Sequence, residues 1–154
     1  MDAPKAARVR ALLAKARADG VAAALVDSDL PQTVDEAYAI ALDGVSPEAV
    51  SAWKIGGANP WSQAVFNNAE LFFGALWQHE VVTSGQAFSL DGLVAPLAEP
   101  EIMLEIGAWP PRADTSLFSR MALGIEIPAT VLPDAIKTRL ACQALDRAGA
   151  GGLW

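Results

Sequence analysis

The first apolar residues of the chain recur at helical spacing. Within residues 5–18, Val9, Leu12, Leu13 and Ala16 share one side among Ala, Lys and Arg, which predicts an amphipathic helix stopped by Asp19-Gly20. A second helix is expected over 34–42, with Thr33 as N-cap, Glu36 at the capping-box position and Asp43-Gly44 after it. Beyond Pro47 the apolar runs shorten. Segments at 53–57, 80–83, 102–108 and 123–127 are separated by Gly, Pro and Asn, the texture of strands and turns. Asn59, Pro60 and Trp61 fit a loop, Trp109-Pro110-Pro111 a strand closed by a rigid turn, and 112–119 a loop or short helix. The Gly-rich stretch after Arg147 leads into Leu153-Trp154 either as the start of another strand or as a flexible tail. The reading is α+β, with an N-terminal helical cap over 1–46 and a mixed, mostly β body over 47–154.

One strand-like segment carries chemistry. Residues 99–106 read Glu-Pro-Glu-Ile-Met-Leu-Glu-Ile, so on a strand Glu99, Glu101, Met103 and Glu105 face one way and Pro100, Ile102, Leu104 and Ile106 the other. Stacked carboxylates repel, and such a row needs bulk water, a row of Lys or Arg, or a divalent cation. A half-exposed strand with its acids in solvent satisfies the same pattern, and both readings stay open on the pattern alone.

Composition narrows the chemistry. The 154 residues, 53% of them hydrophobic, suit one globular domain with a substantial core. A balance of 11 basic against 18 acidic residues, net −7, disfavours nucleic acid and anionic lipid as partners. No apolar run approaches the ~20 residues of a membrane span, and Met-Asp-Ala-Pro-Lys at the start lacks a signal core, so the cytoplasm is the expected compartment. Cys142 is the single cysteine and His79 the single histidine, which leaves no internal disulfide and no Cys/His zinc site. A metal must therefore be held by oxygen, which points to Mg²⁺, Mn²⁺ or Ca²⁺.

Lys54 lies in the apolar run Ala-Trp-Lys-Ile-Gly-Gly, where a cation is costly to bury unless it meets an anion. It either pairs with carboxylates or snorkels out of an edge strand. Gly56 and Gly57 allow a tight turn or close backbone approach to a ligand. His79 has the residue type of a general base but no partner pattern around it.

These segments together resemble the 2-keto-4-pentenoate hydratase branch of the fumarylacetoacetate hydrolase family. The resemblance rests on Val50-Ser-Ala-Trp-Lys54-Ile-Gly56, Phe72-Phe73-Gly74, Glu99-Pro-Glu101-Ile and Gly124-Ile-Glu126-Ile, in that order. Upstream, Asp35-Glu-Ala-Tyr38 is similar to a helical segment of the family, and downstream Leu145-Asp146-Arg147-Ala-Gly resembles its Ala-Asp-Asn stretch with Arg147 in place of Asn.

The resemblance implies a distorted, partly closed barrel, here incomplete because family members continue well past the Ala-Asp-Asn-like stretch. It implies Mg²⁺ or Mn²⁺ held by Glu99, Glu101 and Glu126, Lys54 as the active-site lysine, and Gly56 and Gly57 beside the substrate. Strand alternation places Ile125 and Ile127 toward a core and the Glu126 carboxylate away from it, where a neighbouring strand can bring it opposite the first two acids. Glu105, on the same face, has no family role and reads as solvated or as an outer neighbour. Phe72 stands where some hydratases have an acid, which Glu70 replaces only if its loop turns inward.

The implied activity is a hydro-lyase reaction, water adding to a 2-hydroxy-dienoate or 2-oxo acid in aromatic catabolism. C–C bond hydrolysis and 2-oxo acid decarboxylation are the alternatives within the family. A truncated, inactive relative serving in binding or assembly is the alternative outside enzymology. Missing strands leave unpaired edges and apolar faces, which favour a homo-oligomer or another pairing chain.

Overall fold

In the computed structural model, residues 3–67, 70–107 and 117–154 are described. The readings for Trp109-Pro110-Pro111 and for all but the end of 112–119 lie outside the described residues.

Helix α1 (Ala3–Asp19) buries Val9, Leu13 and Ala16. It ends as Asp19-Gly20 predicts: Gly20 takes φ +65, and the amides of Gly20 and Val21 return to the carbonyls of Arg17 (3.3 Å) and Ala16 (3.0 Å), a Schellman closure. Helix α2 (Val34–Ala41) is capped by Thr33, whose Oγ1 accepts from the Glu36 amide at 3.1 Å. The reciprocal half of the expected capping box shifts by one residue, because the Glu36 carboxylate accepts from the Gln32 amide (2.6 Å) rather than from Thr33.

Two helices go beyond the sequence expectations. Asn59, Pro60 and Trp61, expected in a loop, cap and open α3 (Pro60–Phe66), with Asn59 Oδ1 accepting from the Ser62 amide at 2.8 Å and Pro60 in the first turn. Helix α4 (Leu140–Leu145) buries Cys142, Gln143, Ala144 and Leu145. The hydrophobic core joins Val9, Leu13, Ala37 and Ile40 to Val131, Leu132, Ile136 and Leu145. The helical layer is therefore not confined to residues 1–46, since α4 and the segment before it pack into it from the other end of the chain. Among the described residues no helix is long and apolar enough to cross a membrane.

The strands form two antiparallel sheets. Strand β1 (Val50–Gly56) pairs with β2 (Phe72–Trp77), Lys54 opposite Gly74 and Gly56 opposite Phe72. Strands β3 (Glu99–Ile106), β4 (Phe118–Pro128) and β5 (Ala150–Leu153) lie in the order β3-β4-β5. The end of the chain is thus a strand and not a tail, and Trp154 extends its ladder by exchanging hydrogen bonds with Ile125 at 2.8 and 2.6 Å. The strand expected at 80–83 is instead a 3₁₀ turn, Gln78–Glu80, followed by one parallel bridge from Val81 to Leu153.

The β3–β4 register pairs Ile102 with Leu123 and Leu104 with Met121, so these side chains share a face. That face is open to water, with Ile102 62%, Met121 70% and Leu123 86% exposed. The acid face is the covered one at its Glu126 end, which inverts the usual polarity of a half-buried ribbon.

Candidate metal centre

The β3–β4 register sets Glu99 directly opposite Glu126 and Glu101 opposite Gly124. Directly opposed residues of an antiparallel pair share a face, and a neighbour two positions along stays within reach of long side chains. The three carboxylates converge as a result, each offering an oxygen within 4.8 Å of the others. Gly124 leaves the space facing Glu101 empty of its own side chain, and Met103 folds into it: a Cβ at Gly124 would lie 1.6 Å from the Met103 methyl carbon.

The acids differ in environment. Glu101 is exposed, Glu99 half-buried and Glu126 buried. Strand alternation had set the Glu126 carboxylate opposite a core formed by Ile125 and Ile127, yet Ile127 and Glu126 are both buried, and Lys54 of β1 reaches the Glu126 carboxylate. On β1 the half-buried positions are Val50, Ala52, Lys54 and Gly56, while Ser51, Trp53 and Ile55 face outward. Lys54 points inward and its Nζ forms an ion pair with Glu126 Oε1, each side chain only 10% exposed. Among the described residues the Lys54 ammonium is the partner of that oxygen. Burial pushes the Glu126 carboxyl above its ordinary pKa, Lys54 opposes the rise, and Glu99 and Glu101 add to it.

This arrangement fits a hard divalent cation. All donors are carboxylate oxygens, and two oxygens on one such ion sit up to about 4.2–5.0 Å apart, twice a metal–oxygen bond of about 2.1–2.5 Å. Three carboxylates gathered against one ammonium leave a surplus of negative charge that a divalent cation would relieve.

The other residues singled out from the sequence fall into place around this centre or away from it. At Gly56 a Cβ would lie 2.3 Å from the Phe72 ring, and at Gly57, where φ is +77, one would lie 2.7 Å from the Glu70 carbonyl oxygen. The close approach that these glycines permit is to their own chain. Glu105 bonds to Ser119 Oγ at 2.8 Å and pairs with Arg120, and these contacts hold its carboxyl below the ordinary range. Glu70 and His79 are exposed.

The supporting residues that the sequence did not reveal are Glu80, Asp146 and Arg147. Arg147 meets Glu80 through two parallel 2.8 Å bonds, donates to the Ala75 carbonyl at 2.8 Å, and lies 5.0 Å from the Trp77 ring centre. Its carbonyl rests on Gly74, the partner of Lys54. Asp146, fully buried, accepts from Thr130 Oγ1 (2.6 Å), the Val131 amide (3.0 Å) and Arg17 (2.5 Å). The turn they begin runs through left-handed φ at Arg147, Ala148 and Gly149 (+53, +56, +67), a costly path for the first two. A cleft of about 180 Å³ lies apart from the glutamates, lined by Arg10, Arg17, Arg147 and Trp77. Its guanidiniums are already paired with Asp43, Asp146 and Glu80.

No protein-family model and no curated protein matches the sequence. Solved structures do match the fold. One is 4-oxalocrotonate decarboxylase from Pseudomonas putida G7 complexed with magnesium and adipate, at TM-score 0.82 and 15% identity over 99% of this chain and 62% of that one. Another is the same enzyme complexed with calcium and acetate, at TM-score 0.77 and 14% identity over the same shares. The expected α+β architecture, N-terminal helices followed by a mostly β body, agrees with these matches. The chain therefore carries the fold of 4-oxalocrotonate decarboxylase across 62% of that protein's length.

Proposed function

We propose that this chain is the metal-holding portion of a divalent-cation-dependent enzyme of the fumarylacetoacetate hydrolase family, acting on a 2-oxo acid or its enol in the cytoplasm. The observation that carries the reading is the convergence of Glu99, Glu101 and buried Glu126, each offering an oxygen within 4.8 Å of the others. Those three side chains are the proposed ligands of Mg²⁺ or Mn²⁺. Bound there, the cation supplies Lewis-acid stabilisation of negative charge on the oxygens of a 2-oxo acid. Lys54 stands against Glu126, where its ammonium can receive the substrate carboxylate or assist a proton transfer. Gly56 and Gly57 pack against Phe72 and the Glu70 carbonyl, so a place for them beside the substrate rests on the sequence resemblance.

Two reactions fit this centre. The sequence resemblance favours addition of water to a 2-hydroxy-dienoate, and the likeness to a decarboxylase fold supports loss of carbon dioxide from a 2-oxo acid equally. Both would serve the breakdown of aromatic ring-fission products. A binding or assembly role is supported by the open apolar face at Ile102, Met121 and Leu123, which also suits a partner chain or a second copy.

Thermal melts and turnover assays separate these readings. Mg²⁺ or Mn²⁺ at 100 times its Kd stabilises a protein by about 2.7 kcal/mol, so the metal is expected to raise Tm, and Glu126→Gln is expected to remove the rise. Glu101→Ala is expected to abolish turnover of 2-hydroxypenta-2,4-dienoate if the chain is a hydratase, or of 4-oxalocrotonate if it is a decarboxylase. A metal-dependent Tm with neither substrate consumed supports the binding role. No change in Tm with either metal defeats the metal-centre reading.

A further inference from the structure

Among the described residues, the cationic group in contact with the buried acid is Lys54. Lys54 reaches Glu126 from the other sheet and meets its Oε1 in a direct ion pair, both side chains nine-tenths buried. The same carboxylate belongs to the set whose oxygens gather within 4.8 Å. An ammonium and a divalent cation crowded onto one carboxylate repel each other strongly at low local dielectric. A lysine stem is also flexible enough to swing, where a guanidinium locked in a two-point fork is not. We infer that Lys54 is a displaceable resident cation of this centre: it neutralises Glu126 before metal arrives, leaves Glu126 when metal loads, and only then presents its ammonium to a substrate carboxylate.

This deepens the metal-centre reading and rests on it. Metal loading competes with an intrachain ion pair, so the free protein binds metal less tightly than its three acids alone would allow. Metal precedes substrate, because the substrate's counter-ion is occupied until loading frees it. By reciprocity, a ligand that engages Lys54 tightens metal binding by the same factor.

The test titrates Mn²⁺ into wild type and Lys54→Met, counting free ion by electron paramagnetic resonance, with melts at zero and saturating Mn²⁺. Removing the competitor is expected to tighten Mn²⁺ binding about tenfold, within the usual range of site-to-site coupling. Lys54→Met is expected to melt below wild type without metal and to close that gap at saturation. A second measurement needs no variant. Acetylation of Lys54 by an amine reagent, followed by mass spectrometry of wild type, is expected to rise when Mn²⁺ is present. An Mn²⁺ affinity of Lys54→Met within twofold of wild type, or weaker, overturns the inference, as does Lys54 labelling that stays level or falls on loading. If Lys54→Met does not fold, the labelling result decides. Wild type that binds no Mn²⁺ at all defeats the underlying metal-centre reading instead, so the two failures are distinct.

Discussion

Arg147→Met is expected to cost about 3–5 kcal/mol of folding stability, the usual penalty for leaving one member of a buried ion pair without its partner. The Arg147 and Glu80 side chains are 10% and 13% exposed. Removing the guanidinium leaves the Glu80 carboxylate, among the described residues, with one remaining donor, the Trp77 amide at 2.9 Å. It also removes a donor from the carbonyls of Ala75 and Ala150, which accept from Arg147 at 2.8 and 3.4 Å, leaving Ala150 only the 3.5 Å bond from Arg17 among the described residues, and forfeits the stacking on Trp77. Met keeps most of the stem volume and is no less able than Arg to adopt the left-handed backbone at this position, so the loss reports the charge and its hydrogen bonds. Urea denaturation followed by tryptophan fluorescence gives the number. The double change Glu80→Gln with Arg147→Met is expected to lose clearly less than the two single changes summed, because the penalty lies in the unpaired partner. A single-variant loss below about 1 kcal/mol would mean that the pair is worth no more than a surface contact.

Gly74→Ala is expected to be the most damaging small substitution in the chain, costing about 4–5 kcal/mol or more, the range reserved for steric and core defects. An added Cβ would lie 1.7 Å from the carbonyl oxygen and 2.3 Å from the carbonyl carbon of Arg147. Both are backbone atoms of a turn already fixed by Asp146 and Glu80, so they cannot swing aside as a side chain would. Gly74 has no positive φ, which makes the demand one of room alone. Gly85→Ala is the control: nothing lies within 4 Å of its added Cβ, but φ is +91, and a cost of about 1–2 kcal/mol for backbone strain is expected. Because Gly74 pairs with Lys54, Gly74→Ala is also expected to remove metal-dependent stabilisation, and soluble yield with the Mn²⁺ melt reads both effects. Normal yield and a midpoint like that of the control would show that the turn yields easily.

Local pattern made some of this legible and tertiary contact concealed the rest. Residues 99–106 alternate strictly, so strand β3 and the shared face of Glu99 and Glu101 follow from the chain alone. Strand β2 was missed because Gly74, Ala75 and Leu76 are all buried, which erases the two-residue period that marks a strand. Helix α3 carried a capping signal in Asn59-Pro60 with Ser62, but Ser at the third position is weaker than the Glu or Gln usually sought. Helix α4, over Leu140–Leu145, is too short for helical periodicity to register. The burial of Glu126 could not be read from β4, since its partner Lys54 comes from another sheet. Nothing in the sequence links Glu80 to Arg147, 67 positions apart. The apolar side of β3 and β4 reads as core by composition, yet among the described residues it faces water.

The long reach of the ion pairs bears on how the chain assembles. Arg17 waits 129 positions for Asp146 and Glu80 waits 67 for Arg147, so loop-closure entropy must be spent before either contact stabilises anything. Chains governed by such distant contacts collect their structure slowly. On a ribosome, the acid at 126 would emerge long after Lys54, and the lysine would have no carboxylate on β4 to meet until synthesis had passed that strand.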